Sequence, residues 1–307
     1  MPRGRKIYGE LRAEEHKITD AAEEFFRHNE AKGLAEESKK TYIRHVNAFI
    51  KWAEEYLTLD EITPKVIDEY LAFKMSKGIK AVLVATAMRH LRRFFNFCNS
   101  RGYMEKIDIT IPRYETTLKE PYTDKEMKRL LAKPRSGNWV ELRSWCMINY
   151  FYATGQRLST VLNIKVKDLD LTAGKVRLVW NKDKIQKWMP LSSTIVKILR
   201  EYIRLSDLSE EDYLFPEYEG GQLNSRSAQN AIAKYNKKRG VKKTSIHLFR
   251  HTFAKNYIIA GGSPAKLQYL LNHKTVDMTM KYVNLYGSEV ATDYDLFNPL
   301  DNLKRRI

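Results

Sequence analysis

The stretch "SIHLFRHTF" (245–253) decides how the second half of this chain folds. His247 and Arg250 stand at i and i+3 and share one helix face, while Phe249 and Phe253, at i and i+4, turn together toward a core. The pattern is that of an amphipathic helix, apolar on one side and carrying imidazole and guanidinium on the other. His247 and His251 are also i,i+4, the spacing of a helical zinc pair. The intervening Glu of His-Glu-x-x-His is missing, however, and Arg250 is a permanent cation where a metal would sit. No metal is expected here.

Working outward, "KVRLVW" (175–180) and "KWMPL" (187–191) read as strands around the polar turn "NKDKIQ" (181–186), a β-hairpin. Helices are expected near 193–205, 225–239, 246–260, 264–271 and 276–284. Thr123 and Glu126 form a Thr-x-x-Glu capping box that opens this region. Residues 123–286 therefore read as a mainly α domain with one small β element. On the hairpin turn Lys182, Lys184 and Lys187 are ordinary exposed lysines by pattern, and the residues alone do not choose among them. Arg157, in "TGQRLSTVLNIKVKDLD" (154–170), sits at a turn between two helices, where it either projects into a cleft or faces solvent. Tyr282, among Met278, Met280 and Val283, is placed as a packing residue would be, and His273 alone is equally unremarkable.

The first half carries four helix signals. Asp20 with Glu23 opens a stretch through Phe25 and Phe26 that stops at Gly33, and Ser38 precedes a helical repeat of Tyr42, Ile43, Val46, Phe49, Ile50 and Ala53. Thr63 followed by Pro64 marks a third start, with Val66, Ile67, Tyr70 and Leu71 on one face. A fourth helix, near 80–100, combines Leu83, Ala87, Leu91, Phe94 and Phe95 with Arg89, Arg92 and Arg93. Those arginines are either a solvated surface or phosphate contacts. The result is a helical bundle over 16–112, preceded by a basic segment at 1–15 and followed by a linker at 113–122 holding Pro121. A tail spans 287–307.

Composition narrows the partner. Of 307 residues, 54 are Lys or Arg against 37 Asp or Glu, a net charge of +17. Such a chain repels itself unless a polyanion relieves it, so nucleic acid comes first and an acidic membrane second. No Lys-rich amphipathic terminal helix or lipidation signal supports the membrane. The apolar run "SWCMINYFYATG" (144–155) is too short to span a bilayer and reads as a buried helix. Cys98 and Cys146 are too few for a disulfide framework or thiolate cage. A cytoplasmic protein with packed thiols is expected.

Taken in order, Thr-Gly-x-Arg-x-Ser, a Lys-bearing hairpin ending in Pro190-Leu191, His247-x-x-Arg250-His251, Leu271-x-His273 and then Tyr282 resemble the tyrosine recombinase (phage integrase) family. The resemblance runs from about Thr123 to Leu285, and the helical first half looks like the family's core-binding domain. It implies six site residues: Arg157, Lys182, His247, Arg250, His273 and Tyr282, with Lys182 chosen by its distance from Pro190-Leu191. Three departures stand out: Thr160 replaces the usual Glu, Asn272 the usual Gly, and Phe249 the usual Leu.

What the resemblance implies is a site-specific recombinase that cuts and rejoins double-stranded DNA, working as a tetramer on paired recombination sites. Tyr282 attacks phosphorus and forms a 3′-phosphotyrosyl link. His247 is the expected base, Lys182 the acid for the leaving 5′-oxygen, and Arg157 and Arg250 the phosphate clamp. His273 contacts phosphate or orients the site. Neither metal nor nucleotide cofactor is expected, because the guanidiniums carry the charge and one ester replaces another. A mobile-element integrase is the first expectation. A chromosome-dimer resolvase, a non-catalytic DNA binder on the same scaffold and a type IB topoisomerase are the alternatives.

Overall fold

The computed structural model describes residues 16–54, 56, 58–115, 120–179, 186–273 and 275–286. The expected basic segment at 1–15, the turn that carries Lys182 and the tail at 287–307 lie outside the described residues. The chain divides into two compact units, Met1–Thr117 and Leu118–Ile307.

The first unit is built from α1 (Ile18–Ala31), α2 (Glu36–Trp52), α3 (Pro64–Ser76) and α4 (Ala81–Ser100). Thr63 caps α3 as its sequence predicts, its hydroxyl accepting from the Val66 N–H at 3.4 Å with Pro64 in the first turn. Two starts differ from expectation. α1 begins at Ile18, ahead of the Asp20–Glu23 pair, because Ile18 is itself buried in the core. Asp20 instead lies in the first turn, where the helix dipole favours a carboxylate. α2 likewise starts at Glu36, leaving Ser38 inside it. Aromatic rings fill the centre: Phe49 meets Tyr70 and Phe95 edge-on at centroid distances of 5.0 and 5.5 Å. The buried stripe of α4 runs through Val84, Met88, Leu91, Phe95 and Cys98. Leu83 sits about a hundred degrees around the helix from Val84 and is 56% exposed, so it is not the core residue its hydrophobicity predicts.

The second unit comprises α5 (Asp124–Leu131), α6 (Trp139–Thr154), α7 (Leu158–Val161), α8 (Ser193–Leu205), α9 (Ser225–Lys238), α10 (His247–Ile259), α11 (Pro264–Leu271) and α12 (Asp277–Tyr286), with an antiparallel sheet. Its strands are β1 (Leu169–Asp170), β2 (Lys175–Val179) and β3 (Gln186–Pro190), in that order, with Arg177 opposite Trp188. The predicted hairpin is β2–β3. The two-residue β1 is too short to leave a pattern in sequence. The Thr123–Glu126 box forms in both directions, at 2.8 and 3.2 Å. α6 contains most of the apolar run noted above. It is the central post of the unit, with Trp145, Cys146, Ile148 and Phe151 buried and α5, α8, α9 and α10 packed around it. Both cysteines are free and buried. Among the described residues no helix is long and apolar enough to cross a membrane.

Candidate active site

Helix ends bring the candidate residues of the second unit together. α6 stops at Gly155, whose φ of +62° is left-handed, and a Cβ there would lie 2.5 Å from Phe253 and 2.7 Å from Leu271. Only glycine suits that position. The tight stop lets α10 and the end of α11 approach, and it puts Arg157 two residues later at the mouth of α7.

Arg250 is buried to 4% exposure and ties two of these ends together. Its guanidinium donates to the Gly155 carbonyl at 2.8 Å and to the Leu271 carbonyl at 2.7 Å. Burial first, and then the charge of Arg157, push it down to about 10. It remains a cation at neutral pH. Arg157 is partly buried and donates to the Asn272 carbonyl at 3.3 Å, its own value lowered by burial. A guanidinium has five N–H donors, so these contacts leave both arginines donors for an anion.

Asn272 explains one departure from the family pattern. It ends α11 in the left-handed region at φ +49°. Glycine is the usual residue there and asparagine the usual substitute. His273 follows, buried, with Nδ1 2.7 Å from the Thr279 hydroxyl. Burial, then the charges of Arg250, Arg157 and His251, push it down to about 4, so it is neutral at pH 7.

Tyr282 lies on α12, 6% exposed, in a small apolar cluster with Ala254, Ile258, Leu267 and Leu271. Its ring stacks parallel to that of His273 at 6.4 Å. Its hydroxyl reaches His251 Nδ1 at 2.8 Å. Burial raises the phenol above its ordinary value of 10.0, and the charges of Arg250 and Arg157 pull the other way. His247, the base expected from sequence, is exposed at the start of α10, its ring perpendicular to that of His251 at 5.0 Å. Five of the six expected residues are therefore described, and Arg157, Arg250, His273 and Tyr282 cluster directly. Lys182 lies outside the described residues. Lys187, its neighbour on β3, donates to the Tyr269 carbonyl at 2.8 Å and covers the Tyr269 ring. His251 is the residue the sequence reading passed over. Its place in the motif assigns it no role, although its i,i+4 step from His247 puts it on the same helix face. Among the described residues no group of three or more metal-binding side chains occurs.

In the first unit, Arg89 donates to the Tyr114 hydroxyl at 3.1 Å, and Arg93 lies over the Tyr42 ring at 5.9 Å. Arg92 donates to the Ile109 carbonyl, which fastens the chain leaving α4. All three remain exposed on one helix.

On this helical scaffold a buried tyrosine lies beside two guanidiniums and two imidazoles. Residues 121–289 match the phage integrase family, and residues 22–102 match the phage integrase N-terminal SAM-like domain. The chain belongs to the phage integrase family, and with it to the tyrosine-type site-specific recombinases. Among curated relatives, tyrosine recombinase XerC of Xanthomonas axonopodis pv. citri is 26% identical over 280 residues, covering 86% of this chain and 91% of its own. Tyrosine recombinase XerD of Pseudomonas aeruginosa is 27% identical over 265 residues, covering 83% and 88%. Among solved structures, the Tn1549 transposon integrase in complex with transposon right end DNA is similar with a TM-score of 0.74 at 18% identity, over 87% of this chain and 94% of that one. A lambda integrase tetramer bound to a Holliday junction gives 0.71 at 17% identity, over 88% and 78%.

Proposed function

We propose that this recombinase breaks and rejoins DNA at a specific site with Tyr282 as its nucleophile. The observation that carries the reading is the clustering of helix ends that sets a buried Tyr282, its hydroxyl 2.8 Å from His251 Nδ1, within the field of Arg157 and Arg250. Tyr282 attacks the scissile phosphorus, and the P–O bond to the 5′-oxygen breaks, leaving a 3′-phosphotyrosyl link and a 5′-hydroxyl. The free N–H groups of Arg157 and Arg250 hold the non-bridging oxygens and offset the charge of the five-coordinate state, work that a metal does in other phosphoryl-transfer enzymes. Lys182 protonates the departing oxygen. His247, exposed beside the pocket, contacts the phosphate or takes up a proton. His273, neutral and fixed by Thr279, keeps the ring of Tyr282 in place. A second strand's 5′-hydroxyl then displaces the tyrosine without ATP.

The partner is a double-stranded recombination site, gripped also through Arg89, Arg92 and Arg93 of α4, and the working assembly is a tetramer on two such sites. The net charge of +17 supports the partner. Integration or excision of a mobile element is the first role. Chromosome-dimer resolution is the second reading.

The test is covalent capture. The full chain is expressed in cells, lysed into SDS, and the DNA that remains attached to it is sequenced. One recurrent sequence with attachment lost in Tyr282→Phe is expected, and its position at element ends or on the chromosome separates the two roles. Attachment that persists in Tyr282→Phe overturns the assignment. Formation of the adduct is expected to be unchanged in EDTA, and a strict Mg²⁺ requirement contradicts the arginine-based clamp.

A further inference from the structure

The phenol of Tyr282 has to lose its proton, and its burial makes the loss harder than in water. The guanidiniums beside it have no lone pair to accept one. His273 Nδ1 is engaged with Thr279 at 2.7 Å. The partner at hydrogen-bonding distance of the Tyr282 hydroxyl is His251 Nδ1, at 2.8 Å with ring planes inclined by 46°. His247 sits about one helical turn back at the start of α10 and is exposed.

We infer that His251 is a catalytic residue of this reaction, the group that takes the proton from Tyr282 during cleavage and returns it during rejoining. The inference rests on Tyr282 being the nucleophile, as argued above. For Nδ1 to accept the phenolic hydrogen the ring is neutral, with its own proton on Nε2. As Tyr282 attacks, its O–H bond breaks and an N–H bond forms at His251 Nδ1. The phenolate electron pair makes the new P–O bond, and the old P–O bond leaves with its pair on the 5′-oxygen, which takes a separate proton from the lysine of the hairpin. In the reverse step the 5′-hydroxyl attacks, its proton returning to the lysine, and the imidazolium of His251 gives its proton back to the departing phenolate.

Among the described residues the ionisable groups around the pair include His247, Arg250 and Lys255 on α10, Arg157 from the α6–α7 turn, His273 from the loop after α11, and Tyr286 on α12. The cations among them favour the phenolate once it appears. His247 is left to the phosphate. A buried phenol needs a hydrogen-bond partner even without chemistry, so the test has to separate proton transfer from mere placement.

Single-turnover adduct formation makes the separation, using the full chain and a nicked duplex that carries the sequence recovered by covalent capture. The duplex is made twice, once with ordinary phosphate and once with sulfur replacing the 5′-oxygen at the cut. The thiolate leaves without a proton, so the second duplex reports activation of the nucleophile alone. His251→Asn keeps a polar atom near the Nδ1 position but accepts no proton, and His251→Ala removes both. Both variants are expected to slow the adduct about 100-fold on either duplex, with a rate that climbs with pH where wild type levels off. Imidazole added to His251→Ala is expected to restore part of the rate. His251→Asn at the wild-type rate overturns the inference and leaves a structural hydrogen bond. A loss repaired by the sulfur duplex overturns it too, since it assigns His251 to the leaving group. Failure of wild type itself to form any adduct is the separate result that removes Tyr282 as nucleophile.

Discussion

Arg250 carries two burdens at once, and they need separate measurements. Its two carbonyl acceptors, on Gly155 and Leu271, hold the ends of α6 and α11 against α10. The proposed chemistry uses the donors that remain. Arg250→Ala leaves two buried carbonyls unpaired, each worth about 1–3 kcal/mol, so loss of activity in that variant reports folding as well as catalysis. Arg250→Lys is the sharper probe. A single ammonium keeps the charge but not the planar fork that spans both carbonyls and a phosphate. It is expected to fold with a lowered melting temperature and to form adduct at least about 100-fold more slowly, the order found when one charge-stabilising donor is removed from such a site. Denaturation and single-turnover cleavage, measured on one preparation, check both halves. Wild-type cleavage in Arg250→Lys contradicts the clamp.

At the scale of elements, two left-handed residues set the site, and their side chains differ for a reason. Gly155 is enclosed by Phe253 and Leu271, so Gly155→Ala forces both a strained backbone and a clash, with an expected loss of about 2–4 kcal/mol. Asn272 is less constrained. Asn272→Gly is expected to be neutral or mildly stabilising, whereas Asn272→Val costs about 1–2 kcal/mol and displaces the carbonyl that Arg157 grips. Equilibrium unfolding in urea ranks the three, and a tolerated Asn272→Val contradicts the account. Much of this was readable beforehand. The helices of the second unit follow from periodicity and caps, as at Thr123 with Glu126, because there local and tertiary preferences agree. Where they disagree, the core wins: Ile18 starts α1 ahead of its apparent cap, and Leu83 faces out because Val84 and Met88 take the interior. The motif order picked out the residues that surround Tyr282, since each is fixed by a helix end. It did not show which histidine meets the hydroxyl, because His247 and His251 share a face and only the placement of α12 decides between them.

Across the whole molecule, charge and sheltered histidines govern the response to solution conditions. With +17 to neutralise, DNA binding is expected to weaken steeply with salt, log K falling by about 0.9 for each phosphate contact as log salt rises. A nearly flat titration contradicts a backbone-gripping protein. Acid is predicted to act on both units through one mechanism. His45, stacked on His90 at 5.0 Å in the first unit, is pushed down to about 4 by burial and by the charges of His90, Arg44 and Lys74. His273 in the second unit is pushed equally low. Each therefore has a folded-state value below its ordinary 6.5. Between 6.5 and about 4 the unfolded chain binds protons that the folded chain refuses, so stability falls as pH drops through that window and the two histidines contribute nothing to its slope above it. Most carboxylates titrate lower, with a reference value for glutamate of 4.5, so the upper part of the window belongs to the histidines. Unfolding followed by hydrogen exchange at pH 7, 6 and 5 reads each unit separately. His45→Gln is expected to flatten the decline in the first unit alone, and His273→Gln in the second alone. A stability that stays level from pH 7 to 5 in wild type contradicts the assignment of these rings as sheltered and neutral.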